Sequence, residues 1–379
     1  MPYRSGVEDA GSMPHLRLVT VALLVSLSLG AEERRGGIAF HYATPLSPRE
    51  LEWYSRFDVL VTHDPLPRAQ VDALHARGTR LALYEWSVAY YDSLRTLWHL
   101  RQPRAVFLND HPLRGHLGAA DSDAYYYDPA TREHQRGRAE MLARRLRVLG
   151  YDGVFFDTTT SHSVHPEALA EYERRHPELP YDEAFARFLQ NLRAEGVRLI
   201  VTNQGYRAAD HVLPHVDWDV TESLITFPRE GRFVLRPWND ARDPWNSTAY
   251  LMRNLIGPVR RKFPNVRYAH INYVDEPDRA RIAEIVAISL LFDAQPVVAK
   301  HDVATTIESD LLVLDLGEPT TALAGTHRFF ERGFAAYNAS ARTLRVPNGD
   351  EYEDVVTGTR VRGTIVVPPR TARILRRVR

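Results

Sequence analysis

The chain has 379 residues, 44% of them hydrophobic and 25% charged, and its 48 basic and 48 acidic side chains leave no net formal charge. That composition is ordinary for a globular protein and long enough for one large domain plus a small one. The charge balance argues for no nucleic-acid or acidic-membrane partner, and the absence of cysteine excludes disulfides, thiol catalysis and cysteine metal sites.

Residues 18–29 are an apolar run behind Arg17, ending in the small-x-small pattern Ser28-Leu29-Gly30. A bilayer span needs about 20 apolar residues. The run therefore predicts a signal peptide over residues 1–30. The mature chain is expected to be secreted or periplasmic, with no integral membrane span after signal removal.

Beyond the leader, short apolar runs alternate with helical patterns. Candidate strands fall at residues 37–43, 58–63, 81–86, 105–109, 153–157, 199–203, 218–221, 267–273 and 296–300. Alternation of strand and helix implies a parallel sheet with crossover helices, and the number of units favours a closed barrel. Nine runs compete for eight places. The run at 105–109 is the one to remove, because no helix-length segment follows it before Tyr125-Tyr126-Tyr127.

Between the strands, Asp128-Pro129 offers a helix start, and Met141, Leu142, Leu146 and Leu149 form a stripe that Gly150 stops. Residues 282–290 are apolar nearly all round, as a deeply buried helix is. After about residue 305 the helices vanish. Short runs at 311–316, 333–337, 343–346, 352–356, 364–367 and 372–375, with turns at Asn348-Gly349 and Thr357-Gly358, read as antiparallel strands. The expected architecture is a (β/α)8 TIM barrel over residues 36–303, followed by a small C-terminal antiparallel β-sandwich over residues 304–379.

The most informative segment is Gly150-Tyr151-Asp152-Gly153-Val154-Phe155-Phe156-Asp157. It reads as a helix stop, a turn, a strand buried on both faces and a carboxylate at the strand end. Barrel enzymes place catalytic groups at that end. A helix-capping role for Asp157 is the plainer alternative, but six polar residues separate it from the next helix start at Pro166-Glu167. Other polar residues gather at strand ends: His41, Glu85 with Trp86, Asn203 with Gln204, Glu222, and Asn272 with Tyr273. Two carboxylates on different strands of one barrel suit glycoside hydrolysis, and Asp157 and Glu222 are the best-placed pair.

His41, Glu85, Trp86, Asn203, Gln204, Trp218 and Tyr273 are the candidate substrate contacts. Glu85 also reads as a hydrogen-bond partner behind the site, and Glu222 as an ion-paired loop residue. Trp86 and Trp218, with Trp238 and Trp245 after the sixth strand, offer flat faces to sugar rings, although such residues also fill cores. Trp53 and Trp98 belong to core or surface. No HxH or HExxH spacing marks a metal site; His162 and His165, three apart in a loop, are the nearest approach to one. No glycine-rich loop marks a nucleotide, so no cofactor or metal is expected.

Residues 150–158, Val201-Thr202-Asn203 and Thr221-Glu222-Ser223 together resemble the endo-α-1,4-polygalactosaminidase-like glycoside hydrolases (family 114) and related uncharacterised barrel proteins. The resemblance implies a barrel acting on α-linked oligo- or polysaccharides, with Asp157 as nucleophile and Glu222 as acid/base. The C-terminal segments 334–338 and 352–358 are more like the sandwich that follows amylase-type barrels. Two other readings stay open: a non-catalytic glycan-binding barrel and a metal-dependent hydrolase.

Overall fold

The computed structural model describes residues 36–91, 106–114, 123–301, 303–322 and 325–378. The expected leader over residues 1–30 and Trp98 lie outside them. Eight strands form one parallel sheet in sequential order: β1 (Gly36–His41), β2 (Phe57–Thr62), β3 (Arg80–Trp86), β4 (Gly153–Asp157), β5 (Leu199–Asn203), β6 (Trp218–Glu222), β7 (Arg267–Val274) and β8 (Gln295–Lys300). The eight match the sequence expectation within about two residues. Residues 106–109 form no barrel strand. They sit in an insertion between β3 and β4 beside a small antiparallel sheet of Ala89–Tyr91, Leu113–Arg114 and Asp123–Tyr126.

β8 lies beside β1, and the seam between them is bridged by Thr305–Thr306. Thr306 pairs antiparallel with Ala299 of β8, and its Oγ1 accepts the Phe40 amide of β1 at 2.8 Å. Its carbonyl accepts the Tyr54 hydroxyl at 3.2 Å.

Alternation along each strand sorts side chains into two layers. Ile38, Phe40, Val59, Val61, Ala82, Phe155, Leu199, Val201, Trp218, Val220, Ala269, Ile271 and Val297 fill the barrel interior. Their sequence neighbours, among them Ala39, Leu60, Leu83, Val154, Phe156 and Ile200, pack outward against the helices.

The motif ahead of β4 explains itself residue by residue. Gly150 caps helix Ala139–Leu149 in the left-handed region at φ 76°, where glycine carries no Cβ penalty. The Tyr151 hydroxyl meets Thr62 Oγ1 at 2.7 Å and accepts the Leu66 amide. Asp152 accepts the Leu81 amide of β3 and bonds His75. At Gly153 a Cβ would lie 1.7 Å from the Leu199 carbonyl oxygen, so no larger residue fits where β4 meets β5. The helix expected at Asp128-Pro129 begins a few residues later, as a π-helical turn at Glu133–Arg138. Asp128 instead turns the chain by accepting the Ala130 amide and is held by His176.

Five C-terminal strands form an antiparallel sheet in the order His327–Phe330, Gly333–Asn338, Thr371–Arg377, Tyr352–Asp354, Arg360–Val361, and Leu344–Pro347 pairs with Thr364–Val367. Phe334, Ala336, Val346, Tyr352, Ile365, Val367 and Leu375 fill the space between the two sheets. The outer face of the larger sheet, with Ala335 and Ile374, packs on helix Arg279–Leu291. That helix is thus covered by the barrel on one side and the sheet on the other, which is why its sequence is apolar all round. Residues 311–316 are not a strand; Asp310–Val313 form a 3-10 turn. The adjacent Leu311 and Leu312 are both buried, which a turn allows on one side and an alternating strand does not.

Candidate active site

Four strand ends bring their side chains to one point. Asp157 ends β4, Asn203 ends β5, Glu222 ends β6, and Tyr273 lies one residue from the end of β7. Tyr84, two residues before the end of β3, joins them. The chain turns in the same way after the first three: Thr158, Gln204 and Ser223 hold left-handed φ angles of 52°, 61° and 53°. A β-branched threonine there is strained, and such strain concentrates at functional sites.

Asn203 ties the cluster together. Its Nδ2 donates to Asp157 Oδ1 at 2.7 Å and to Glu222 Oε2 at 2.9 Å. Two oxygens at those distances from one nitrogen can be no more than 5.6 Å apart. Asp157 also accepts the Tyr84 hydroxyl at Oδ2, 2.6 Å, and the Thr158 amide at Oδ1, 2.8 Å. Glu222 Oε1 accepts the Tyr273 hydroxyl at 2.8 Å.

The electrostatics single out Glu222. Burial, then the negative charge of Asp157, push the Glu222 carboxyl above the usual range, against the bonds from Asn203 and Tyr273. Burial and the same two carboxylates hold the phenols of Tyr42 and Tyr273 well above their ordinary value. Tyr84 is shifted the same way, by burial first and then by Asp157. The phenols thus stay protonated, and those of Tyr84 and Tyr273 donate to the carboxyls.

Aromatic walls rise on both sides. Tyr42 stacks on His63 at 5.4 Å, and His63 leans on Tyr84 at 5.0 Å. Trp86 meets Tyr84 edge-on at 5.6 Å. Opposite, Phe233 packs on Tyr273 at 5.4 Å and on His301 at 4.6 Å. Phe233 comes from a hairpin, Thr226–Arg229 with Arg232–Leu235, inserted after β6.

Of the sequence candidates, Asp157, Asn203, Glu222 and Tyr273 meet, and Trp86 stands beside them. The others are placed elsewhere. His41 points to the helix layer, where Nδ1 meets the Tyr54 hydroxyl at 3.1 Å. Glu85 also faces outward, between Arg138 and Arg145, each at 3.4 Å. The Gln204 side chain accepts from Arg207. Trp218 starts β6 and is buried inside the barrel four residues below Glu222. Trp238 is buried against Phe292 and Tyr337, whereas Trp245 is 69% exposed. His165 Nδ1 caps helix Pro166–Arg175, and His162 lies in the turn Ser161–Ser163. Among the described residues, no group of three His, Asp or Glu side chains gathers as metal ligands. Sequence reasoning missed Tyr42, His63, Tyr84, Phe233 and His301; inward alternation from Ala82 was the one signal that could have found Tyr84.

The fold is a (β/α)8 barrel, and the polar cluster stands at the C-terminal ends of its strands. No family model matches the chain, and no curated protein matches it. Among solved structures, the glycoside hydrolase domain of PelA from Pseudomonas aeruginosa superposes with a TM-score of 0.53 at 20% identity, over 71% of this chain and 96% of that one. An α-amylase from Geobacillus thermoleovorans, solved with acarbose, gives 0.53 at 10% identity over 92% and 99%. Amy13B of Eubacterium rectale gives 0.52 at 9% identity over 91% and 96%. At these identities the likeness establishes the fold.

Proposed function

We propose that the protein hydrolyses α-linked glycans with retention of configuration, Asp157 acting as nucleophile and Glu222 as acid, then base. The observation that carries this reading is the single Asn203 amide nitrogen shared by both carboxyls. The resulting limit of 5.6 Å between Asp157 Oδ1 and Glu222 Oε2 supports the spacing of about 5–5.5 Å in retaining enzymes over the roughly 6.5–9.5 Å of inverting ones.

The electrostatics support the division of labour. Three donors on Asp157 suit an ionised, acceptor-only carboxylate, ready to attack the anomeric carbon. Glu222, desolvated beside that charge, keeps its proton for the leaving oxygen. Once Asp157 is esterified its charge is gone. Glu222 then loses a cause of its raised pKa and becomes the base that activates water. The aromatic walls offer apolar faces to sugar rings. The leader over residues 1–30 supports export, and the described residues contain no helix long and apolar enough to cross a membrane.

The test is the anomer first released from an α-linked polysaccharide or aryl α-glycoside, read by proton NMR, together with two variants. Retention is expected. Asp157→Asn should lose turnover by about 10⁴-fold or more while still binding glycan, and Glu222→Gln should spare only activated leaving groups, within the usual 10²–10⁴-fold span of acid catalysis. An inverted product, or near-normal turnover in Asp157→Asn, would remove the proposal.

A further inference from the structure

The turn that follows Glu222 is held from two directions. On one side, Asn272 Oδ1 accepts the amides of Ile225 at 2.8 Å and Thr226 at 3.0 Å. On the other, Arg236 takes the carbonyls. Its Nη2 donates to Ser223 O at 3.2 Å and its Nε to Leu224 O at 3.0 Å. The remaining nitrogen, Nη1, reaches the Asn246 carbonyl at 3.2 Å and the Asn246 side-chain oxygen.

Arg236 is unusual in what it lacks. Among the described residues no carboxylate lies at ion-pair distance from it, and its guanidinium sits over the Phe227 ring at 4.7 Å. Burial holds its pKa below the usual arginine range. Desolvating a cation is unfavourable, and here it is offset by the charge of Asp243 nearby and by four neutral acceptors. Two of these belong to the residues immediately after Glu222. Ser223 is also the left-handed residue, φ 53°, that takes the chain out of β6 directly after Glu222.

We propose that Arg236 is the positioning residue of Glu222: it locks the left-handed turn at Ser223 so that the carboxyl meets Tyr273 and Asn203 and faces the leaving oxygen. The inference rests on Glu222 being the acid/base. Proton transfer demands heavy-atom reach of about 2.6–3.2 Å, and a catalytic group must be held to about 0.5 Å. Asn272 holds the planar peptides that join Leu224 to Ile225 and Ile225 to Thr226, and the Ser223 amide is held by the Ile271 carbonyl; the peptide that joins Ser223 to Leu224 is held at its carbonyl by Arg236. Losing Arg236 should therefore loosen the acid and leave the nucleophile in place.

The experiment compares kcat/KM over a series of aryl α-glycosides that the native enzyme turns over, from dinitrophenyl to phenyl. The proteins are the native enzyme, Arg236→Met, Arg236→Lys, Glu222→Gln and, as a control, Arg193→Met. Arg193 holds Asp217 and the His215 carbonyl at the start of β6, so its loss should lower stability without touching the acid. Arg236→Met is expected within about 3-fold of native on the dinitrophenyl substrate and down about 30-fold or more on the phenyl substrate, the pattern of impaired acid catalysis. Arg236→Lys, which can still reach one carbonyl, should show the same slope at smaller size, and it decides alone if Arg236→Met does not fold. An equal loss across the series, as expected of the Arg193 control, would overturn the inference. If Glu222→Gln itself shows no leaving-group dependence, the acid/base assignment falls first and the role of Arg236 with it.

Discussion

At the scale of single residues, the candidate nucleophile is defined by its donors. The Tyr84 hydroxyl is one of three on Asp157 and the shortest, at 2.6 Å. Tyr84→Phe keeps the ring between His63 and Trp86 and removes only that donor. A hydrogen bond to a charged group contributes about 1.5–3 kcal/mol, so kcat should fall roughly 10- to 100-fold with KM little changed. A loss below about 2-fold would show that the phenol only packs. Tyr84 also marks what a single sequence conceals. Polar side chains at strand ends are visible in the sequence, as Asp157, Asn203, Glu222 and Tyr273 are. Which side of the strand they face is decided by one residue of parity. β1 and β3 are apolar on both faces, so their pattern does not betray parity. His41 and Glu85 therefore look like site residues and stand behind it, while Tyr84, one position from Glu85, stands inside.

At the scale of elements, each site strand needs its turn anchored, and β5 is anchored by a buried acid. Asp219 of β6 accepts Thr202 Oγ1 at 2.9 Å and the amides of Gly205 and Tyr206 at 2.7 and 3.0 Å. These fix the turn beyond Asn203. Burial raises the Asp219 carboxyl from its ordinary 3.8 to about 7, despite those three bonds and Arg260. The folded protein therefore holds a proton that the unfolded chain gives up at lower pH. The stability linked to this group is fully present below about pH 4 and is lost as pH rises through about 7. Asp219→Asn should be less stable overall, because an amide cannot accept at both positions. Its stability, followed by urea unfolding between pH 4 and 8, should lack this component of the slope. An unchanged slope would show that Asp219 titrates normally. Elements of this kind were legible where period and punctuation agreed, as in helix Ala139–Leu149 with its Gly150 cap. The insertion between β3 and β4 and the hairpin carrying Phe233 were not, because their order comes from packing on the barrel and not from local pattern.

At the scale of the whole molecule, residues 34–379 form one compact unit, and helix Arg279–Leu291 is where barrel and C-terminal sheets share a core. Its Ile282, Ile285, Val286, Ile288 and Leu291 are all buried. Removing residues 304–379 would strip one side of that helix. Exposing even two such side chains costs about 3–6 kcal/mol at roughly 1.5–3 kcal/mol each, against a typical total stability of about 5–15 kcal/mol. The truncated chain should melt well below the intact one or aggregate. A fragment ending at residue 303 that unfolds cooperatively at the native temperature would show that the C-terminal sheets are dispensable.

The same deletion would take Thr305 and Thr306, and with them the clasp of the ring. β1 is among the first parts of the barrel made on the ribosome, yet the hydroxyl that receives its Phe40 amide lies 266 residues later. Until that residue emerges, β1 is the raw edge of an open sheet, the kind of edge on which chains pair wrongly. Closure of the ring therefore cannot precede the emergence of Thr306, and a shorter chain still offers β1 to a neighbour.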